Sequence, residues 1–292
     1  MAIKKIAVVG AGIMGNGIAQ VAASAGYEIT LQSRRQETLD KAQASIKNSL
    51  GRMVKSGRIE ESKADEIAGG IKTTQSVEEA VSGADFVIES VAENLELKQD
   101  LFAEMDKIAP AHTILATNTS QLSVTAVGSK TGRQDKIVGC HWFNPPPVMK
   151  LVEIVRAGQT SDETLEATVE LCQSFGKETI VCKDTPGFVV NRLLLVQRAE
   201  ALRMLNEGVA SVEDIDRAIE LGLNHPVGPF KLADMTGLDT ATTNLTYISQ
   251  ALGDRFAPTE VIKNLVETGT LGRKTGRGFY DYASGQAAPI KD

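Results

Sequence analysis

The sequence is short of several residue types, and each shortage excludes a class of protein. Cys140, Cys172 and Cys182 are the only cysteines among 292 residues. They show neither a CxxC spacing nor the even number of a disulfide framework, which is typical of a reduced, intracellular protein. No apolar run approaches the ~18 residues that a membrane-spanning helix needs, and no signal-peptide core precedes the first apolar segment. We therefore expect a cytoplasmic protein that does not bind a membrane.

Basic residues are also in the minority. The chain carries 31 lysines and arginines against 37 aspartates and glutamates, a net charge of −6, which argues against general binding to nucleic acid. The hydrophobic share of 42% and the charged share of 23% are ordinary for a soluble globular protein. With 292 residues the chain is long enough for two domains, each with its own core.

Strands and helices alternate through the first two thirds of the chain. Apolar, β-branched runs predict strands, and the helical spacing of apolar residues predicts helices between them. The predicted strands are residues 5–9, 29–31, 85–89, 112–116, 136–139, 150–155 and 179–182, and the main predicted helices are residues 36–55, 95–108 and 164–175. This alternation indicates an α/β domain with a parallel or mixed doubly wound sheet.

A glycine-rich turn follows the first predicted strand. Residues 10–15 fit the pattern G-x-G-x-x-G, and apolar residues at helical spacing continue from there to Gly26. Strand, glycine turn and helix in this order form the dinucleotide-binding fingerprint, because the glycines let the backbone approach a pyrophosphate at the helix N-terminus. The candidate phosphate-binding residues are Gly10, Gly12, Ile13, Met14 and Gly15.

The end of the second predicted strand indicates which dinucleotide binds. A site for NAD usually carries an acidic residue there, which binds the ribose 2′-hydroxyl. This chain has Ser33, Arg34 and Arg35 instead, and a serine beside arginines suits a 2′-phosphate. We therefore predict that NADP(H) is favoured over NAD(H). The alternative is that the two arginines are simply solvated at a turn.

The pattern changes at Pro186 and Gly187, beyond which few segments resemble strands. Helical spacing covers residues 188–206, 212–221, 238–252 and 258–267. A Pro-Gly pair at such a change is typical of a domain boundary. We predict a Rossmann-type dinucleotide-binding domain in residues 1–184, an all-helical substrate and dimerisation domain in residues 185–283 and a flexible tail in residues 284–292.

A histidine and a glutamate near the middle of the chain are candidates for proton transfer. His141 lies beside an aromatic pair, and Glu153 interrupts an apolar, β-branched run. A carboxylate in such a run is costly to bury without a partner. A histidine held by a carboxylate, with a hydroxyl such as that of Ser120 nearby, is the usual arrangement for taking a proton from an alcohol. The alternatives are a structural core histidine and a glutamate that faces water.

Seven segments follow one another in a characteristic order along nearly the whole chain. They are residues 10–15, 87–94, 118–120, 141–147, 184–192, 225–229 and 272–280. Together they resemble the L-3-hydroxyacyl-CoA dehydrogenase family, and most closely its compact bacterial members that act on 3-hydroxybutyryl-CoA. The resemblance implies an oxidoreductase of fatty-acid and butanoate metabolism. Such an enzyme interconverts (S)-3-hydroxyacyl-CoA and 3-ketoacyl-CoA, here acetoacetyl-CoA, by hydride transfer to or from a nicotinamide cofactor.

The resemblance also implies roles for individual residues at the reacting centre. His141 would be the general base, and Glu153 would orient its imidazole and stabilise the imidazolium. Ser120 and Asn191 would hold the substrate oxygen and so limit the reactive poses.

Further contacts are implied for the cofactor. Glu93 and Lys98 fall where the family contacts the nicotinamide ribose, and Ser120 and Asn144 fall near the nicotinamide. Without the resemblance, Glu93 and Lys98 are solvated charges at the start of a helix.

Coenzyme A carries several phosphates, so its site should offer cations and donors. The candidate cations are Arg52, Lys55 and Arg58, on and just after the predicted helix of residues 36–55, and the resemblance places Ser49, one turn earlier, near the pantetheine part. The family often has consecutive lysines where this chain has Lys55 and Ser56, and a solvated helix face is the alternative. We expect no metal site and no nucleic-acid partner.

The first helix of the second domain has an unusually wide apolar stripe. It consists of Leu193, Leu194, Leu195, Val196, Ala199 and Leu202. Such a stripe must be buried within the domain or against another subunit. The family dimerises through this domain, so the resemblance implies a homodimer.

Two other functions remain open from the sequence. A gulonate-type or other hydroxy-acid dehydrogenase of the same fold would need no cations for coenzyme A. A non-catalytic nucleotide-binding protein would need none of Ser120, His141, Glu153 and Asn191.

Overall fold

The structure, a computed structural model, describes residues 3–285 and 287–289. The chain forms two compact units, and the division falls between Phe188 and Val189, whereas the sequence predicted a boundary after residue 184. Among the helices in the described residues, none combines the length and hydropathy that a membrane crossing requires.

The first unit alternates strands and helices. Its strands are β1 (Lys5–Val9), β2 (Glu28–Gln32), β3 (Ile71–Thr74), β4 (Phe86–Glu89), β5 (Ile114–Thr117), β6 (Ile137–Trp142), β7 (Leu151–Arg156) and β8 (Glu178–Lys183). Its helices are α1 (Ile13–Ser24), α2 (Gln36–Lys55), α3 (Glu61–Gly70), α4 (Val77–Val81), α5 (Leu95–Ile108), α6 (Val124–Val127) and α7 (Asp162–Ser174), with short 3-10 turns at Gly128–Lys130 and Gln134–Lys136.

The strands form one eight-stranded sheet in the order β3-β2-β1-β4-β5-β6-β7-β8. Neighbouring strands are parallel except β6 and β7, which are antiparallel. The α/β doubly wound fold predicted from the sequence is confirmed, with a mixed sheet. The strand order reverses between β1 and β4, and ligands of such sheets bind in the crevice beyond the carboxyl ends of the strands at this point.

Both faces of the central strands β1, β4, β5 and β6 are buried. In β1, Ile6 and Val8 pack into a core layer with α1, α2, α3 and α7, whereas Ala7 and Val9 pack into the opposite layer with α4, α5 and α6. Burial on both faces explains why the strands are nearly continuous apolar runs in the sequence.

Three elements between α2 and β4, namely α3, β3 and α4, were not predicted, and β6 is longer than predicted. Strand β3 contains a lysine and two threonines, so no apolar run marks it, and it is held by pairing with β2. Helix α3 ends in Gly69 and Gly70, which are poor helix formers. Strand β6 continues to Trp142 instead of ending at Gly139, so His141 lies within a strand.

The second unit is mainly helical. Its helices are α8 (Val190–Asn206), α9 (Val212–Gly222), α10 (Pro229–Thr236), α11 (Leu238–Leu252) and α12 (Glu260–Glu267), with 3-10 turns at Asp254–Phe256 and Arg273–Thr275. Strands β9 (Tyr280–Asp281) and β10 (Ala288–Pro289) pair antiparallel. Helix α10, which begins at a proline, was not predicted. Residues 288–289 of the predicted flexible tail therefore form a strand, and residue 286 and residues 290–292 of that tail lie outside the described residues.

Two buried aspartates link α10 to the segment around β9. Asp216 accepts hydrogen bonds from two backbone N–H groups at the start of α10 and from the Tyr280 hydroxyl. Asp234 accepts from two backbone N–H groups at β9 and from the Tyr282 hydroxyl. Burial raises the pKa of both carboxyl groups, although these hydrogen bonds act in the opposite direction. The aspartates therefore have a structural role in the second unit.

The apolar stripe on α8 is divided between core and surface. Leu195, Ala199 and Leu202 belong to the core of the second unit. Leu193 is 64% exposed and Val196 is 37% exposed. Only part of the stripe is therefore buried within the chain.

Candidate active site

The glycine turn lies between β1 and α1, at the carboxyl end of a central strand. Gly10 has a φ of 105°, and a Cβ atom there would lie 2.5 Å from the carbonyl oxygen of Ser90. A Cβ atom on Gly15 would overlap the carbonyl oxygen of Gly10. A Cβ atom on Gly12 would have nothing within 4 Å. The turn is therefore tightly packed on its inner side and has open space at Gly12.

Helix α1 begins beside this open space with Ile13 and Met14. Gly12 is its N-cap residue, and its first turn contains no acidic side chain. The backbone N–H groups and the positive end of the helix dipole therefore remain available to an anion. These residues fit the pyrophosphate of a dinucleotide.

The end of β2 adjoins the glycine turn. The Gly10 N–H donates to the carbonyl oxygen of Gln32 at 2.9 Å. Ser33 comes next and is half-buried, and its N–H donates to the last residue of β3. Arg34 and Arg35 are exposed. The position where an acidic residue is usual for NAD thus holds a hydroxyl and two cations.

His141 and Glu153 are direct neighbours across β6 and β7. The antiparallel register pairs them, and paired residues project from the same face of a sheet. His141 Nδ1 lies 2.7 Å from Glu153 Oε2. The exposed fractions are 5% for the histidine and 0% for the glutamate, so the alternative of a glutamate that faces water is wrong.

Aromatic rings cover the imidazole. The ring centroid of His141 lies 4.6 Å from that of Phe143 and 5.6 Å from that of Phe188. In such surroundings a carboxylate needs a donor, and the Nδ1–H of the histidine supplies one. That hydrogen bond leaves Nε2 as the ring nitrogen that can exchange a proton with a substrate.

Lys98 is a buried cation between two glutamates. Its Nζ lies 2.6 Å from Glu89 Oε1 and 3.4 Å from Glu93 Oε2. Lys98 is 1% exposed and Glu89 is 0% exposed, and Glu89 also accepts from the Thr117 hydroxyl. The alternative of a solvated charge is therefore wrong for Lys98. The lysine binds the carboxylate of Glu89, the last residue of β4, and that of Glu93, which follows the strand.

Glu93 and Ser120 lie together beyond the ends of β4 and β5. Glu93 Oε1 accepts from the Thr119 hydroxyl at 2.5 Å, from the Ser120 N–H at 3.0 Å and from the Ser120 hydroxyl at 3.4 Å. Because β6 is the next strand in the sheet, the structure places Ser120 at the same edge of the sheet as His141.

The loop after β6 carries Asn144, which is exposed and precedes a cis peptide bond to Pro145. Asn118, which follows β5, connects the ends of β4 and β6. Its side-chain oxygen accepts from the Trp142 N–H at 2.9 Å, and its amide donates to the Ser90 hydroxyl at 3.2 Å. The carboxyl ends of β4, β5 and β6 are thus held together.

The remaining candidate residues lie on α2 and α8. Ser49, Arg52 and Lys55 occupy the last two turns of α2, roughly 20 to 30 Å along the helix axis from its first residue. Arg52 and Lys55 are exposed. Asn191 lies in the first turn of α8, in the second unit.

Three further residues take part in this arrangement although the sequence prediction gave them no role: Glu89, Asn118 and Phe188. Glu89 had a signal, because an acid that ends an apolar strand calls for a partner. Asn118 and Phe188 lie in segments that carry the resemblance, but each contacts residues more than twenty positions away, so the sequence did not indicate these partners. Phe188 has a positive φ of 47°, which is rare for a bulky residue.

The glycine turn and the buried pair of His141 and Glu153 lie at the same edge of the sheet. This combination is typical of a nicotinamide-dependent oxidoreductase. Residues 5–185 match the family described as 3-hydroxyacyl-CoA dehydrogenase, NAD binding domain, and residues 187–282 match its C-terminal domain. The chain belongs to the 3-hydroxyacyl-CoA dehydrogenase family, which confirms the resemblance found in the sequence.

Individual relatives agree with this assignment. The chain is 43% identical over 287 residues to the mitochondrial hydroxyacyl-coenzyme A dehydrogenase of Rattus norvegicus, covering 96% of this chain and 91% of that one. It is 43% identical over 283 residues to a probable 3-hydroxybutyryl-CoA dehydrogenase of Bacillus subtilis, covering 97% and 98%. The crystal structure of (S)-3-hydroxybutyryl-CoA dehydrogenase from Ralstonia eutropha has a TM-score of 0.93 and 40% identity, covering 97% of this chain and 100% of that chain.

Proposed function

We propose that this chain interconverts (S)-3-hydroxyacyl-CoA and 3-ketoacyl-CoA, with 3-hydroxybutyryl-CoA and acetoacetyl-CoA as its substrates. The observation that carries the proposal is the buried pair of His141 and Glu153, joined at 2.7 Å, at the sheet edge that also carries the glycine turn. The names of the Bacillus and Ralstonia relatives support the four-carbon substrate.

The residues of the site act on the proton of the substrate hydroxyl. In the oxidation direction, Nε2 of His141 takes the proton from the 3-hydroxyl, and the Glu153 carboxylate stabilises the imidazolium through Nδ1–H. In the reduction direction the imidazolium returns that proton to the 3-oxygen. Ser120 donates a hydrogen bond that orients this oxygen. A nicotinamide cofactor, when bound, would supply the hydride acceptor or donor. The role of Asn191 stays a prediction from the resemblance.

Acetoacetyl-CoA and free acetoacetate distinguish this function from its nearest alternative. We expect reduction of acetoacetyl-CoA, followed by the loss of reduced-nicotinamide absorbance, with kcat/KM at least about 10²-fold above that for acetoacetate, because binding energy from the remote coenzyme A part lowers the barrier. Similar kcat/KM values for both compounds would favour a gulonate-type or other hydroxy-acid dehydrogenase. Cofactor binding without turnover of either compound would favour a non-catalytic protein.

We propose that NADP(H) is the preferred cofactor. Ser33, Arg34 and Arg35 at the end of β2 support this preference, because they offer a donor and positive charge where an acidic residue would repel a 2′-phosphate.

We also propose that the residues that contact coenzyme A are Ser49, Arg52 and Lys55. The cytoplasmic location and the domain limits stay predictions.

We propose that two copies of the chain associate through the exposed part of the α8 stripe. Leu193 and Val196 are 64% and 37% exposed, and their spacing of three residues places them on one helix face. Light scattering at micromolar concentration should give twice the mass of one chain, and Leu193→Asp should give the monomer. As a control, Leu221→Asp on α9, where the leucine is 74% exposed, should leave the dimer intact. A wild-type monomer would overturn this proposal.

A further inference from the structure

The loop between β6 and β7 has few backbone hydrogen-bond donors. Pro145, Pro146 and Pro147 follow one another, and proline has no N–H group. Within the loop, the N–H groups of Val148 and Met149 both donate to the carbonyl oxygen of Pro145. The carbonyl groups of Pro146 and Met149 therefore need donors from another element.

Lys177 supplies both of these hydrogen bonds. Its Nζ donates to the carbonyl oxygen of Pro146 at 2.6 Å and to that of Met149 at 2.7 Å. The ammonium also lies 5.6 Å from the centre of the Trp142 ring, within reach of a cation–π interaction. Lys177 is 8% exposed, and burial lowers its pKa. A buried ammonium bound to carbonyl groups is costly, which indicates a specific role.

The backbone of Lys177 is held on both sides. Gly176, with a φ of 73°, lies just after α7, and the Lys177 N–H donates to the carbonyl oxygen of Cys172 at 3.2 Å. The next residue begins β8, where the Glu178 N–H donates to the carbonyl oxygen of Lys150 at 2.9 Å. The lysine thus projects from a rigid junction, so it can define the position of the loop.

The loop in turn contacts the dinucleotide fold. A Cβ atom on Gly17, in α1, would lie 2.9 Å from Cδ of Pro146, so the proline packs directly on the helix that begins at the glycine turn. The same loop follows His141 and carries Asn144. The loop therefore connects the end of β6, which carries His141, to α1, which begins at the glycine turn.

We propose that Lys177 is a positioning residue for the nicotinamide end of the cofactor. It acts through the loop of residues 143–149, by holding two carbonyl groups that the prolines leave without donors. The inference rests on the proposed function in assigning this edge to the nicotinamide, but it is tested by cofactor binding in the absence of substrate.

The test compares Lys177→Met with the wild type. Methionine keeps most of the side-chain length and removes the ammonium, so the loop loses both hydrogen bonds. We expect Kd for NADH and NADPH to rise about 10-fold and kcat to fall roughly 10- to 100-fold, the scale for a displaced positioning group. KM for acetoacetyl-CoA should change less than about 2-fold, because a general loss of structure would affect both substrates. Energy transfer from Trp142, the single tryptophan, to the reduced cofactor measures binding.

Three further variants complete the test. Lys177→Arg keeps the charge and the donors and should restore at least part of the cofactor affinity. Lys150→Met, at an exposed lysine that ends the same loop, should behave as wild type. Gly17→Ala displaces Pro146 from the side of α1 and should weaken cofactor binding in the same way. This variant keeps the proposal testable if Lys177→Met does not fold.

Folded Lys177→Met with unchanged Kd and kcat would overturn the proposal. A wild type that binds cofactor without reducing acetoacetyl-CoA would instead refute the proposed function.

Discussion

Replacing Glu153 with glutamine is expected to lower kcat for acetoacetyl-CoA reduction by about 10²-fold or more while the chain stays folded. The carboxylate accepts the His141 Nδ1 hydrogen bond at 2.7 Å with no exposure to solvent. A neutral amide no longer stabilises the imidazolium. Its N–H can also donate to Nδ1, which moves the ring proton to Nε2, the nitrogen that must accept the substrate proton in oxidation. Steady-state kinetics and circular dichroism measure the two parts of this prediction.

A double variant tests whether the two residues act as one unit. We expect His141→Asn to lower kcat by about 10²- to 10⁴-fold, and the addition of Glu153→Gln to that variant to cost little more, because groups that act together are not additive. Glu178→Gln is the matched control, at an exposed glutamate that begins the neighbouring strand β8. Turnover near that of the wild type in Glu153→Gln would remove the pair from the mechanism.

Replacing Ser33 with aspartate should reverse the cofactor preference. The wild type is expected to have a higher kcat/KM with NADPH than with NADH. In the variant, the ratio of kcat/KM with NADPH to kcat/KM with NADH should fall by about 10- to 100-fold. This range corresponds to the loss of one hydrogen bond to a charged group, about 1.5–3 kcal/mol, and repulsion between the aspartate and a 2′-phosphate adds to it. The aspartate also accepts a hydrogen bond from the ribose 2′-hydroxyl of NADH. Measured kcat/KM values with each cofactor check the reversal.

Separate arginine variants identify the partner of the 2′-phosphate. Arg34→Ala or Arg35→Ala should lower kcat/KM for NADPH and leave that for NADH nearly unchanged. Arg217→Ala, at an exposed arginine of α9, serves as the control for the loss of one surface charge and should change neither value. A clear advantage for NADH in the wild type would refute the preference itself.

Much of the first unit was predictable because its signals are local. The bounds of β1 and α2 agree with the sequence prediction, since a continuous apolar run and a long segment of good helix formers need no distant partner to be recognised. The four-residue strand β3 was missed because only its pairing with β2 makes it a strand. Helix α10 was missed because Pro226 and Gly228, which precede it, resemble a loop.

The amino-acid sequence alone determined the glycine turn, the absence of an acid at the end of β2, the change to helices near Pro186 and the family. These features depend on backbone freedom, hydrogen-bonding groups and periodicity within a few residues. They can therefore be recognised from the sequence without the three-dimensional structure. Only the tertiary structure decided that His141 faces Glu153, that Lys98 is buried between two glutamates and that Lys177 holds the proline loop. Each of these contacts depends on strand register or on which faces of two elements meet, and packing across the whole unit sets both.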